Sequence, residues 1–166
     1  MLAVAITAPV TACTSDTLTV TFLDVGEAAS AIVRAPNGHA MLVDAGRQGN
    51  AVTVSDAHAA EGITRLDYVV GTHEDADHIG GMVPVLSYME LGEYVNNGVD
   101  DPDPSDTTLF LRTYLASRGI TPRAVETGDT LALDPANVTV TVLNPLADPG
   151  SDDNEASVVL HLVYGS

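Results

Sequence analysis

Residues 66–82, LDYVVGTHEDADHIGGM, constrain the fold more than any other stretch. A short, continuous apolar run reads as a strand buried on both faces. Directly after it, two histidines and three carboxylates fall within the six positions from His73 to His78, in a chain with five histidines altogether. His73, Asp75 and Asp77 alternate, and on an extended strand end positions two apart project the same way. A loop curling into a helix then turns Asp77 and His78 toward a second point.

Histidine nitrogens and carboxylate oxygens bond divalent ions at about 2.0–2.2 Å. The spacing H-x-D-x-D-H suits two such ions about 3.5–4 Å apart, an arrangement used for hydrolysis at phosphoryl centres. Zinc and manganese both tolerate so oxygen-rich a set. The motif holds no side-chain nucleophile, so an activated water is the natural attacker. Gly80 and Gly81 permit close backbone approach where the next helix begins. Chance placement of two histidines in an acidic exposed loop is the bland alternative, and it accounts poorly for the order strand, ligands, Gly-Gly.

Around this motif the pattern is mixed α/β. DTLTVTFLDVG, SAIVRAP and NGHAMLVDAG read as three antiparallel strands, the last two joined by a two-residue turn at Asn37-Gly38. GNAVTVSDAHAAEGI reads as a helix leaving at Gly62, and IGGMVPVLSYME as a second helix, with Pro84 tolerable only in its first turn. NNGVDDPDPSD reads as a polar loop whose Ser105 or Asp106 caps the helix TTLFLRTYLASRG. Strands follow in PRAVE, DTLAL, NVTVTVLNP and ASVVLHLVYGS. Thr127-Gly128-Asp129 reads as a turn, with Asp129 no ligand. His39 and His58 are expected to face solvent and His161 to be structural.

At 166 residues, 45% of them hydrophobic, the chain can bury one core. Twenty-three acidic residues face six basic ones, all arginine, which repels polyanions at low salt. A halophilic proteome, a cation-binding surface and a solvated acidic coat all fit that balance; acidity spread over the chain with lysine eliminated favours the first. In molar salt the repulsion reaches only about 3 Å.

The lone cysteine, Cys13, excludes an intrachain disulfide. Residues 1–16 read as an apolar leader, too short to span a bilayer, in which Val10-Thr11-Ala12-Cys13 resembles a lipobox with Cys13 as the lipidation site. The chain is then exported and lipid-anchored to the outer face of the cell membrane. The alternative is a frayed apolar terminus with a free thiol on a cytoplasmic protein.

THEDADHIGGM resembles the signature of the metallo-β-lactamase superfamily, whose usual form is H-x-H-x-D-H. Asp75, where histidine is usual, matches the subgroup resembling the hydrolase domain of ComEC-type DNA-uptake proteins. FLDVGEAASAIVRAPNGHAMLVDAG, LDYVVGTHEDADHIGG, and VTVLNP followed by NEASVVLHLVYG are similar to that subgroup's blocks. The resemblance runs from about Leu18 to Ser166. It implies an αββα sandwich, with residues 17–166 supplying its N-terminal half and a C-terminal half, bearing further ligands, lacking. By position it implies His73 and Asp75 on one ion and Asp77 and His78 on the other, with Asp77 the residue on which catalysis turns. Asp44 would orient a ligand from beneath, and Asp24 would lie near the cleft. The family's Gln-Gly-Asp after Asp-Val-Gly is here Glu27-Ala28-Ala29, which removes a polar group from the cleft rim.

The activity so implied is metal-dependent hydrolysis of a phosphodiester or nucleic acid. An ester, thioester or lactam hydrolase of the same superfamily is the second reading, and a non-catalytic metal-binding fragment the third.

Overall fold

The computed structural model describes residues 16–99, 101–147 and 154–165; Cys13 lies outside them. Three strands, β1 (Thr19–Phe22), β2 (Ala31–Arg34) and β3 (Ala40–Val43), pair antiparallel as expected. β3 then pairs parallel with β4 (Arg65–Val70), β4 with β5 (Glu90–Asn96), and β5 with the two-residue β6 (Arg123–Ala124). A second, antiparallel sheet has the order β7 (Thr130–Asp134), β8 (Val138–Asn144), β9 (Val159–Tyr164).

The register explains why the middle strands are apolar throughout. Ile32, Leu42, Val69 and Tyr94 are successive cross-strand partners, and all four belong to one buried cluster with helical residues such as Val54, Leu86, Leu111 and Leu115. The next row turns over: Val70 and Val95 are partners, and with Val33 and Met41 they pack against Leu131, Leu133, Val140 and Val142 of the second sheet. Side chains alternate across a strand, so a sheet covered on both faces needs both sets apolar. Each fully buried Leu or Ile is worth about 1.5–3 kcal/mol over leaving it exposed. The layers are therefore helices, six-stranded sheet, three-stranded sheet.

On the helical face, α1 (Ala51–Ala60) follows a 3-10 turn at Gln48–Asn50, and Gly62 leaves it at φ +68°. α2 (Ala76–Ile79) and α3 (Met82–Leu86) replace the single helix expected there; Pro84 is the third residue of α3, where its missing N–H costs no hydrogen bond. α4 (Asp106–Ser117) is capped by Ser105, whose Oγ accepts from the Thr108 N–H at 3.2 Å. Among the described residues no helix is long and apolar enough to cross a membrane.

Three expectations need correction. The β2–β3 turn is wider than two residues: Gly38 N–H donates to Ala35 O and Ala35 N–H to His39 O, both at 2.9 Å, and only Gly38 has positive φ. A two-residue turn of the favoured mirror-image type would need positive φ at Asn37 as well. β5 passed unrecognised, its alternation blurred by Gly92 and polar neighbours. His58 is not exposed. It is 2% accessible on the inner face of α1, where its Nδ1 donates to Val54 O at 2.8 Å and its Nε2 has no hydrogen-bond partner among the described residues.

Burial pushes the His58 pKa below its usual 6.5, against smaller opposing effects of the Val54 bond and the Glu61 charge. The unfolded chain takes up this proton near pH 6.5 and the folded chain only at lower pH. The His58 contribution to stability is therefore whole above pH 6.5 and lost as pH falls through the lowered folded value. His58→Leu is expected to lose less stability than the parent between pH 7.5 and 5 in urea titrations. Equal losses in the two proteins would contradict this assignment.

Candidate metal centre

Parallel pairing of β3 and β4 builds the floor of the site. Val43 and Val70 are register partners, so the residues that follow them, Asp44 and Gly71-Thr72, emerge side by side at the carboxyl ends of adjacent strands. That edge is where open α/β sheets present ligand-binding groups. Asp44 is 2% exposed and takes a left-handed conformation, φ +56°, that aspartate tolerates better than most residues. Its carboxylate accepts three hydrogen bonds: Thr72 N–H at 2.9 Å, Thr72 Oγ at 2.7 Å and His78 Nδ1 at 2.7 Å.

Backbone bonds clip the returning α2 onto this floor. Ala45 N–H donates to His78 O at 2.8 Å, Gly81 N–H to Gly46 O at 2.9 Å, and Ala29 N–H to Asp77 O at 3.2 Å. The loop after β1 thus lies against the motif through Ala29. Asp24, in the same loop, is exposed, and among the described residues no hydrogen bond ties it to the motif.

Hydroxyl and carboxylate contacts surround Nδ1 of both histidines. Thr72 gives its one hydroxyl proton to Asp44, and Ser157 gives its own to Asn154 O at 2.7 Å. His73 Nδ1 lies 3.1 Å from Thr72 Oγ and 3.2 Å from Ser157 Oγ, and two hydroxyls already committed as donors can only accept. The neutral Nδ1–H tautomer of His73 satisfies both hydroxyl contacts and leaves its Nε2 lone pair on the side of Asp75 Oδ2. His78 likewise donates from Nδ1 to Asp44, which leaves its Nε2 lone pair free when the ring is neutral. This carboxylate-held histidine is the arrangement that orients metal ligands. The same bond raises the pKa of His78, against opposition from burial and with support from the charges of Asp44, Asp77 and Asp75. The two rings stand 3.8 Å apart, centroid to centroid.

The carboxylates divide. Asp75 occupies the N-cap position of α2 without capping it, and its Oδ2 lies 3.4 Å from His73 Nε2. Two ligands on one tetrahedral ion at about 2.1 Å stand about 3.4 Å from each other, so this pair fits a shared ion. Asn154 Nδ2 donates to the same Asp75 oxygen at 3.3 Å. Asp77 Oδ2 instead faces Arg47 Nη2 at 3.8 Å. Glu74, the third carboxylate of the motif, turns away and takes two bonds from Arg112. Among the described residues no three His, Cys, Asp or Glu side chains are gathered to hold an ion. His73 and Asp75 fit a divalent metal in donor chemistry and separation, and His78 in donor chemistry and its bond to Asp44, while Asp77 faces Arg47.

Other predicted positions lie elsewhere. Asp129 sits in a turn, its N–H bonded to Glu126 O at 3.0 Å, and His39 and His161 are exposed. Thr72, Asn154, Ser157 and Arg47 were not anticipated. Thr72 could have been suspected from its place at the strand end; Asn154 and Ser157 reach the motif from some 80 positions away and left no local signal.

Residues 23–102, which include β2 to β5, Asp44 and the whole motif, match the family model described as the metallo-beta-lactamase superfamily. No curated protein matches the sequence. Among solved structures, a metallo-beta-lactamase with a HARLDQ motif from Cronobacter sakazakii superposes with a TM-score of 0.56 at 15% identity, covering 87% of this chain and 55% of that one. Metallo-beta-lactamase SMB-1, bound to 2-mercaptoethanesulfonate, gives 0.56 at 19% identity, covering 84% and 53%. A variant of the flavo di-iron protein from Thermotoga maritima gives 0.51 at 15%, covering 80% and 30%. The chain spans about half the length of the first two. Identities this low show the fold alone. The shared folds show a metallo-beta-lactamase type of fold, of which these three layers form about half, and the family model matches the part of it that carries β2 to β5 and the motif.

Proposed function

We propose that the chain is the ligand-bearing half of a metal-dependent hydrolase acting on phosphodiesters, in line with the ComEC-type resemblance. The observation that carries this reading is the Asp44–His78 bond at 2.7 Å, together with His73 Nε2 facing Asp75 at 3.4 Å. The Asp44 bond holds His78 with Nδ1 as donor, which keeps its Nε2 for a ligand when the ring is neutral. His73 and Asp75 would hold one ion, and Asp77 and His78 a second. Bound there, a divalent metal supplies Lewis-acid charge stabilisation and a water nucleophile at neutral pH. The chain's own contribution is to fix ligand orientation through Asp44, Thr72 and Ser157, and to keep His73 dry at 4% exposure. Zinc fits the nitrogen-bearing set, and manganese or iron tolerates its carboxylates. Export with a lipid anchor at Cys13 belongs to the same proposal.

The test is chelation and reloading. Bis(p-nitrophenyl) phosphate hydrolysis is expected to vanish after dialysis against EDTA and to return with zinc or manganese at two ions per chain. Turnover of a chromogenic lactam or thioester with no diester hydrolysis would move the assignment to those substrates. The single donor pair at ligand distance among the described residues, His73 and Asp75, favours one competitor, a metal-binding module without turnover. It predicts a single weakly held ion and no hydrolysis of any of these esters.

A further inference from the structure

We propose that the cleft beside the motif binds a small phosphoester bearing a planar ring, with the phosphate on Arg47 and the ring on Phe110; this rests on the hydrolase reading above. The cleft has a volume of about 540 Å³ and is lined by Arg47, Gln48, Pro84, Asp106, Thr107 and Phe110, among others. That size suits a small molecule and not a polymer track.

Arg47 provides the anion-binding end. Its backbone is pinned where Arg47 N–H donates to Asn50 Oδ1 at 2.9 Å, while its side chain is 59% exposed, reaches Asp77 only loosely, at 3.8 Å, and makes one long bond from Nη2 to Glu27 O at 3.4 Å. A guanidinium in that position can turn to a phosphate, for which its fork of donors is well matched. If Asp77 holds a cation, the pair with Arg47 is weakened and the guanidinium is released toward substrate. The other arginines are engaged elsewhere: Arg65 with Asp67 and Glu90, Arg112 with Glu74, Arg123 with Glu93, Arg34 on Glu61 O, and Arg118 over Tyr114. With a net charge of −17 and no basic track leading to the motif, one phosphate is favoured over a long polyanion.

Phe110 provides the other end. It is 59% exposed, and the chain's other phenylalanine, Phe22, is 82% exposed. Phe110 lies four positions after Asp106 and three after Thr107 on α4, so it is a helical neighbour of each. An aromatic ring left in water at a cleft wall, beside a carboxylate and a hydroxyl, suits stacking of a heterocycle whose N–H or sugar hydroxyl donates to Asp106.

Inorganic phosphate and thymidine 5′-monophosphate serve as probes for calorimetric titration of the metal-loaded parent, Arg47→Gln and Phe110→Ala. The parent should bind the nucleotide at least about tenfold more tightly than phosphate. Phe110→Ala should erase that preference and leave phosphate binding unchanged, while Arg47→Gln should weaken both by about tenfold. Thermal melts check that neither exposed substitution unfolds the chain. A preference unchanged by Phe110→Ala, phosphate binding unchanged by Arg47→Gln, or no nucleotide preference in the parent overturns the inference. Diester hydrolysis persisting without any nucleotide preference sinks this inference alone. Nucleotide preference without metal-dependent hydrolysis sinks the hydrolase reading alone.

Discussion

Asp44→Asn is expected to lower divalent-metal affinity about 10- to 100-fold while leaving the chain folded, the range typical of partners that orient metal-bound histidines. Asparagine is the closest replacement because it, too, accepts the left-handed backbone that Asp44 adopts at φ +56°. Its carbonyl oxygen can still accept from Thr72. Its amide then faces His78 Nδ1 as a donor, in place of an acceptor at 2.7 Å. His78 must shift its proton to Nε2 to accept that donor, and a protonated Nε2 cannot bind metal. Asp44→Ala goes further. Three donors lose their acceptor at a buried position, at about 1–3 kcal/mol each, and alanine pays about 1–2 kcal/mol for the left-handed conformation. Against a total stability of about 5–15 kcal/mol, that variant should be largely unfolded at room temperature. Zinc titration of the asparagine variant and urea melts of both are the measurements. An asparagine variant with parental zinc affinity would mean that the Asp44–His78 bond does not orient a ligand.

Gly81→Ala is the second large effect, and two terms oppose each other there. Gly81 has ordinary helical angles, φ −81° and ψ −10°, at the start of α3. Helix propensity alone would reward alanine by up to about 1 kcal/mol. The added Cβ, however, would stand 2.1 Å from Ala45 O and 3.2 Å from Arg47 O, both rigid backbone atoms. Neither can swing aside like a side-chain tip, because Gly81 N–H is itself bonded to Gly46 O and Ala45 N–H to His78 O. Overpacking of this kind costs about 1–3 kcal/mol and sometimes more, so the clash wins. The shift would pry α2 from the loop after β3, and His78 from Asp44. A net loss of about 2 kcal/mol is expected in urea titration, with weaker metal binding alongside. A variant as stable as its parent would show that the backbone approach is looser than these distances.

The sheet edges show how far local pattern carries. β3 and β4 were legible because strands buried on both faces must be continuously apolar, and no helix of useful length fits so short a run. β5 was not, because Glu90, Gly92 and Glu93 dilute its pattern; what makes it a strand is burial of Tyr94 against the helices and Val95 against the second sheet. His58 went astray for the same reason. An alanine-rich helix has no strong polar face to read, and only the packing of α1 says which side is covered.

At the site the division falls between ligands and supports. By itself the sequence determined the H-x-D-x-D-H cluster, its place after a buried strand and the glycines behind it, because those depend on residue type and spacing within a dozen positions. The family resemblance implied Asp44 beneath the site, but only the tertiary structure decided that it bonds His78, that Ser157 and Thr72 stand at His73 Nδ1, and that Asp77 turns to Arg47. Each of those contacts joins residues brought together by parallel strand pairing or by the second sheet. Hydrogen bonds between distant segments leave no periodicity in the chain that makes them.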